Sequence, residues 1–245
     1  MIAILSPAKN MRRIMAPELV TTPVFLRQTQ TVATVMKRYA PFQLESALKV
    51  NPQLALRAFT DTQDWDAALS GSPALLSYRG LAYSALDAAT FSREDLDFAQ
   101  DSLRILSAFY GVLRPLDGIL PHRLDFESAF RCQGKTMYEF WDDKLYDAVF
   151  HPGAPVINLS SAEYSKAVSR HLRMQDVFIT CDFLEFKRGK WCMTATHAKT
   201  ARGRMARFIV RNRLTEPEQL QSFDDDGYCF SPERSNRERY VFLRS

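Results

Sequence analysis

The pattern of the chain predicts a mixed α/β fold, a single domain in which a mixed central sheet is flanked by helices. Three observations point there. A short, continuous apolar run at residues 1–5 and the mainly apolar segments 74–77 and 156–159 suit buried strands, and each is followed by polar or turn-forming residues. Between them lie stretches with apolar residues at i, i+3, i+4 and i+7, the stripe of a half-buried helix. Alternating aromatic and β-branched residues at 177–196, and aromatic residues again at 227–245, suit antiparallel strands. With 245 residues, 46% hydrophobic and 24% charged, the chain can bury one sizeable core. No repeat, low-complexity tract or linker divides it, so one domain over 1–245 is expected.

In order, the first run ends at Ser6-Pro7-Ala8-Lys9-Asn10, which places Ser6 and Lys9 at a strand's C-terminal end, where open sheets hold ligands. Residues 11–72 read as helices broken at Pro17, Pro23, Pro41, Pro52 and Pro73, with 61–64 as a connector. The second run closes at Tyr78-Arg79-Gly80. Ser92 opens a helix with Glu94 and Asp95 in its first turn, and Leu96, Ala99, Leu103 and Leu106 carry it to Ala108. Tyr110-Gly111-Val112-Leu113-Arg114-Pro115-Leu116-Asp117 then breaks that helix at a glycine and restarts it at a proline, which reads as a helix-hairpin-helix over about 95–120. Such a turn exposes N–H groups beside Arg114, suited to a phosphate. The alternative is an αα-corner whose arginine pairs with Asp117 or caps a helix end.

A further helix runs from 137 to about 150, where Pro152-Gly153 stops it. Behind the third run, Ser160-Ser161-Ala162-Glu163 has the spacing of a capping box. A β-hairpin turns about Lys187-Arg188-Gly189-Lys190, and a helix over about 199–214 buries Ala201, Met205, Phe208 and Ile209 between borders of arginines. Two short aromatic strands around 232–237 complete the chain.

The net charge of +4 is unevenly spread. Between Glu185 and Glu216 there is no acid, whereas Lys199, Arg202, Arg204, Arg207 and Arg211 all fall there with four further cations. This interval would attract a polyanion, or it is a solvated face with carboxylate partners from elsewhere. Lys199 and Arg202 lie near a helix N-terminus, where cations are placed well only if an anion is also present. Cys132, Cys181, Cys192 and Cys229 are scattered like the reduced thiols of a cytosolic protein. The four histidines lack ligand spacing, so neither a metal nor another cofactor is expected. Residues 1–5 are too short for a leader or a span, which points to the cytoplasm and no membrane partner. No obligate protein partner is evident.

Three strand ends deliver Ser6 and Lys9, Arg79, and Asn158, Ser160 and Glu163. They converge on one cleft if the strands share a sheet; otherwise each is a local cap or turn. There is no G-x-S-x-G elbow, Walker loop, G-x-G-x-x-G or H-E-x-x-H, and no catalytic residue is assigned. Two functional readings follow. In the first, Tyr110, Gly111 and Arg114 hold one run of phosphates on double-stranded or distorted DNA, and Lys9, Arg79, Lys199, Arg202, Arg204, Arg207 and Arg211 hold others without reading bases. In the second, Ser6, Lys9, Asn158, Ser160, Glu163, Lys199 and Arg202 close around a phosphorylated or nucleotide-like small molecule, as an enzyme or ligand-binding protein would. Cations spread along an open groove favour DNA; mutual burial favours the pocket.

The chain resembles the YaaA family of bacterial peroxide-stress resistance proteins nearly end to end. The residues that carry the resemblance are Ser6-Pro7-Ala8-Lys9, Phe91-Ser92 through Asp97-Phe98-Ala99-Gln100, Tyr110 to Asp117, and Tyr138-Glu139-Phe140-Trp141. Asn158-Leu159 with Ser161, Glu163 and Tyr164, Ala198-Lys199 with Ala201-Arg202-Gly203, Asn212-Arg213-Leu214-Thr215 and Gly227-Tyr228 extend it. It departs at Asn10, where Thr is more typical, and at His122-Arg123-Leu124-Asp125-Phe126, where an aromatic-Arg-Leu-Glu-Met-Gly sequence is usual. The resemblance implies a mixed α/β domain with a helix-hairpin-helix and a positively charged cleft, mapped onto Lys9, Arg79, Arg114, Lys199 and Arg202. It also implies DNA binding and a part in limiting oxidative damage by keeping free intracellular iron low.

Overall fold

A computed structural model describes residues 1–69 and 71–244. The chain opens with strand β1 (Ile2–Leu5) and the two-residue strand β2 (Asn10–Met11). Helices α1 (Leu26–Met36), α2 (Pro41–Leu48) and α3 (Pro52–Gln63) follow, the last two starting at prolines whose missing N–H is not needed in a first turn. Next come β3 (Ser72–Pro73), the one-turn helix α4 (Ala74–Ser77), β4 (Tyr78–Arg79), α5 (Leu81–Leu86) and α6 (Arg93–Ser102). Strands β5 (Leu103–Ser107), β6 (Gly111–Leu113) and β7 (Gly118–Ile119) lead to α7 (Met137–Trp141), α8 (Lys144–Val149), β8 (Val156–Asn158) and α9 (Ala162–Ser169). The remaining elements are β9 (Phe178–Lys187), β10 (Lys190–Cys192), α10 (Ala195–Arg211), β11 (Cys229–Phe230) and β12 (Arg239–Arg244).

Among the described residues, eight strands form one mixed sheet ordered β11-β12-β9-β8-β1-β5-β6, with β10 beside β9. The central ladder is parallel: β1 lies between β5 and β8, and β9 between β8 and β12. Antiparallel hairpins β5–β6, β9–β10 and β11–β12 extend it. All four residues of β1 are buried, as a parallel strand covered on both faces requires. Helix α10 packs on α5 and β9, α6 on β1 and β5, and α8 on β6 and α9.

Ser92 does cap α6: its hydroxyl accepts from Asp95 N, and the Asp95 carboxylate accepts from Ser92 N at 3.0 Å. The helix-hairpin-helix over 95–120 does not form. The helix stops at Ser102, and residues 103–113 make the β5–β6 hairpin. Leu103, Ile105, Leu106, Ala108, Phe109 and Tyr110 are all buried, and a run buried on every side looks alike as helix or strand. The parallel pairing with β1 decides for strand. Ser107 Oγ closes the turn by accepting from Phe109 N and Tyr110 N, and Gly111 (φ +79°) packs where a Cβ would lie 2.8 Å from the Trp141 ring. Beyond it, fully buried Asp117 accepts from Thr21 Oγ1 at 2.7 Å, from Arg114 N at 2.8 Å, and from the Arg114 guanidinium at 3.0 and 3.2 Å. The helical hairpin in this chain is instead α2–α3, turned by Lys49 (φ 53°) and capped by Asn51, whose Oδ1 accepts from Leu54 N at 2.9 Å.

Other boundaries moved for local reasons. Residues 74–77 form a helical turn, because Ala74 N and Leu75 N donate to Asp117 O and Pro115 O and leave no strand partner. The expected connector at 61–64 lies largely inside α3. The 137–150 helix breaks at Asp142 (φ 47°), and α10 starts four residues early.

That early start is held by Glu185. Its buried carboxylate takes Lys187 Nζ at 2.7 Å, Thr194 Oγ1 at 3.1 Å, His197 Nδ1 and the Arg244 guanidinium. Burial alone would raise the carboxyl, but the hydrogen bonds from Lys187, His197 and Thr194 and the charge of Arg244 outweigh it, holding it at about 2 against an ordinary 4.5. A folded value below the unfolded one means that the stabilisation is complete above the ordinary value and is lost as pH falls toward the folded one. The melting temperature should therefore drop across about pH 5 to 2, and Glu185→Gln should flatten that limb while lowering the value at neutral pH. An identical acid limb in the variant would refute the assignment.

Candidate functional site

Because β1 and β8 are parallel neighbours, with Ile4 paired to Asn158, their C-terminal ends meet. Leu159 N donates to Ile4 O, and Ser6 Oγ accepts from Ser161 N at 2.9 Å. The main chain of Ser6 accepts from Tyr83 OH at 2.9 Å. Asn158 is a knot in this seam: Oδ1 takes Ser160 N at 2.9 Å and Ser160 Oγ at 2.7 Å, and Nδ2 donates to Thr180 Oγ1 at 3.2 Å. The expected capping box is not made, since Ser160 turns to Asn158 and Ser161 is the N-cap residue of α9.

The first turn of α9 presents Glu163 and Tyr164 to the loop that follows β7. Tyr164 OH donates to Asp125 Oδ1 at 2.9 Å, and Lys9 Nζ meets Asp125 Oδ2 at 3.2 Å, so one carboxylate joins the two strand ends. Glu163 Oε1 accepts from Glu127 N at 3.2 Å. Burial pushes the Glu163 carboxyl up, aided by the negative charges of Asp125 and Glu127; the Glu127 N–H and Lys9 pull it back only in part. Burial likewise raises the Tyr164 phenol, with Asp125 and Glu163 adding to it. Asp125 had no spacing signal, because its partners come from segments far away in the chain.

Arg79 stands opposite Asn10 in the β2–β4 pair, one residue from Lys9. A shallow cleft opens between Lys9–Met11, Arg57 and Asp61 of α3, and His122-Arg123. His122 forms its inner wall, stacked on Phe109 with ring centroids 4.9 Å apart. Burial lowers it to about 4, so the ring is neutral; Nδ1 donates to Leu120 O at 2.9 Å and Nε2 accepts from Tyr78 OH. Lys9 is 65% exposed at this rim, and neither Arg79 nor Arg123 has a carboxylate partner among the described residues.

The other expected contacts are placed differently. Tyr110 is 1% exposed and its hydroxyl accepts from Trp65 Nε1 and Leu120 N, so it and buried Gly111 cannot touch a phosphate. The Arg114 guanidinium is committed to Asp117 and Thr22 O. Arg204 holds Asp225 at 2.6 Å, Arg207 the main chain of Leu86 and Asp87, and Arg211 Asp95 at 2.7 Å. Arg204, Arg207 and Arg211 are thus engaged by other segments and pin α10 in place. Lys199 remains exposed, and Arg202 is drawn inward, its Nε buried without a hydrogen-bond partner. Burial lowers the Arg202 pKa, which Asp182 and Cys181 partly restore. No group of three or more His, Cys, Asp or Glu suited to a metal occurs among the described residues, and no helix there is long and apolar enough to cross a membrane.

A family model described as peroxide stress protein YaaA matches residues 1–234. A UPF0246 protein of Lactobacillus johnsonii is 41% identical over 245 residues, covering 98% of this chain and 96% of its own. A UPF0246 protein of Clostridium perfringens is 38% identical, and one of Acaryochloris marina 35%, each over the whole of both chains. Matches of this extent and identity establish that the chain belongs to the peroxide stress protein YaaA family.

Proposed function

We propose that this protein acts in the peroxide stress response by binding double-stranded or distorted DNA through its phosphates, in the cytoplasm. The observation that supports the reading is the cleft lined by Lys9, Arg57 and Arg123, with Arg79 beside it opposite Asn10; Arg79 and Arg123 have no carboxylate partner among the described residues, whereas Lys9 meets Asp125 and Arg57 meets Asp61. Lys199 supplies a further exposed cation on α10. Arg114 is left out because its guanidinium is already engaged, and α3 of the α2–α3 hairpin lines the cleft in place of the hairpin expected at 95–120. A role in keeping free intracellular iron low rests on the family resemblance alone.

Backbone contacts release counterions, so the affinity for a labelled duplex, followed by fluorescence anisotropy, should fall steeply between about 50 and 200 mM salt. Arg79→Ala and Arg123→Ala should each weaken binding to unrelated sequences alike and flatten the log–log slope by about 1. Absence of binding at low salt, or an affinity indifferent to salt, would overturn the reading. The small-ligand reading gains support from one feature, the joining of Lys9, Asp125, Tyr164 and Glu163. It loses support because Lys9 stays exposed at the rim and is not buried against Arg202.

A further inference from the structure

The amine of Lys9 is placed for more than charge. Its Nζ is exposed, yet it is fixed at 3.2 Å from Asp125 Oδ2, and the other oxygen of that carboxylate is fixed by the buried Tyr164 hydroxyl. Glu163 sits close enough to feel both Lys9 and Asp125, and burial favours its protonated form. A primary amine, a carboxylate that can take its proton and a carboxyl able to give one are the groups needed to add an amine to a carbonyl and expel water. Phosphate binding alone would require none of the acids.

We propose that Lys9 forms an imine with the aldehyde of a sugar phosphate, specifically the ring-opened deoxyribose left where DNA has lost a base. The inference rests on the DNA reading for its substrate. Intact nucleotides have no carbonyl on the sugar, because C1′ is closed by its bond to the base. Loss of the base frees C1′ to open to an aldehyde. In the reaction Asp125 takes a proton from the Lys9 ammonium, and the nitrogen adds to C1′. On addition the nitrogen passes a second proton to the former carbonyl oxygen, Glu163 supplies another, and that oxygen leaves as water. The products are a protonated imine and one water, with no change of oxidation state. Arg123 lines the same cleft as Lys9, has no carboxylate partner among the described residues, and is the cation available to a flanking phosphate.

Borohydride reduces an imine to a stable amine, so the test is covalent trapping on a duplex with one abasic deoxyribose, followed by peptide mass mapping. The expected result is a single adduct on Lys9, absent in Lys9→Arg, which removes the primary amine while leaving a cation at the position. Glu163→Gln should slow trapping by about 10²-fold with intact-duplex affinity unchanged. Free 2-deoxyribose 5-phosphate, trapped in parallel, separates the two claims. If the duplex does not bind but the free sugar phosphate still marks Lys9, the DNA reading fails and the imine stands. If the duplex binds but no adduct forms, or adducts scatter over the exposed lysines, the imine is overturned. Equal trapping by Lys9→Arg overturns it as well.

Discussion

Replacing Asp117 with alanine is expected to destabilise the protein by about 3 kcal/mol, the cost of leaving several of its donors without their acceptor. The carboxylate is fully buried and ties three segments together: Thr21 from the chain before α1, the main chain and side chain of Arg114, and, through its own carbonyl, Ala74 N. Truncation leaves the part-buried Thr21 Oγ1 and Arg114 N without this acceptor. Asp117→Asn keeps the shape but must set an amide donor against one of these donors, so an intermediate loss is expected. Urea unfolding measures both, and a change below about 1 kcal/mol in the alanine variant would show that the contacts contribute little.

Gly203→Ala should be nearly as damaging, against the intrinsic trend. Alanine gains about 1 kcal/mol over glycine inside a helix, so an unobstructed methyl there would stabilise α10. A Cβ at this position would lie 2.0 Å from the carbonyl oxygen of Ala82 and 2.7 Å from its carbon, which are rigid backbone atoms of α5. The two helices would have to separate, which opens the contact on which the sheet face rests. The expected net cost is about 3 kcal/mol, at the upper end for overpacking. A melting temperature equal to or above that of the parent would contradict this packing.

What could be read from the sequence followed from periodicity and caps. Residues 1–5 are an uninterrupted apolar run and 156–159 a short strand candidate, and they became neighbouring parallel strands; Ser92 capped its helix; the basic turn at 187–190 joined β9 to β10. Because strand ends in one sheet lie side by side, the meeting of Ser6 and Lys9 with Glu163 and its neighbours was also legible. Residues 103–113 were not, since helix and strand burial coincide when every side is covered. For the arginines of α10 the sequence left two readings open, because charge counted along the chain says nothing of partners such as Asp87, Asp95 and Asp225, which arrive by folding. Asp125 escaped for the same reason: only the closed sheet brings it between Lys9 and Tyr164.

The central position of β1 also sets a schedule for synthesis. Ala3 pairs with Leu103 on one side and Ile157 on the other, so the strand leaves the ribosome long before either neighbour exists. At about 5–20 residues per second, that delay is roughly 5 to 30 s. During it, the apolar segment Ile2–Leu5 has no sheet to join, and closure across such separations is slow. The nascent chain is therefore expected to depend on chaperone shielding of its first strand until β5 and β8 emerge to enclose it.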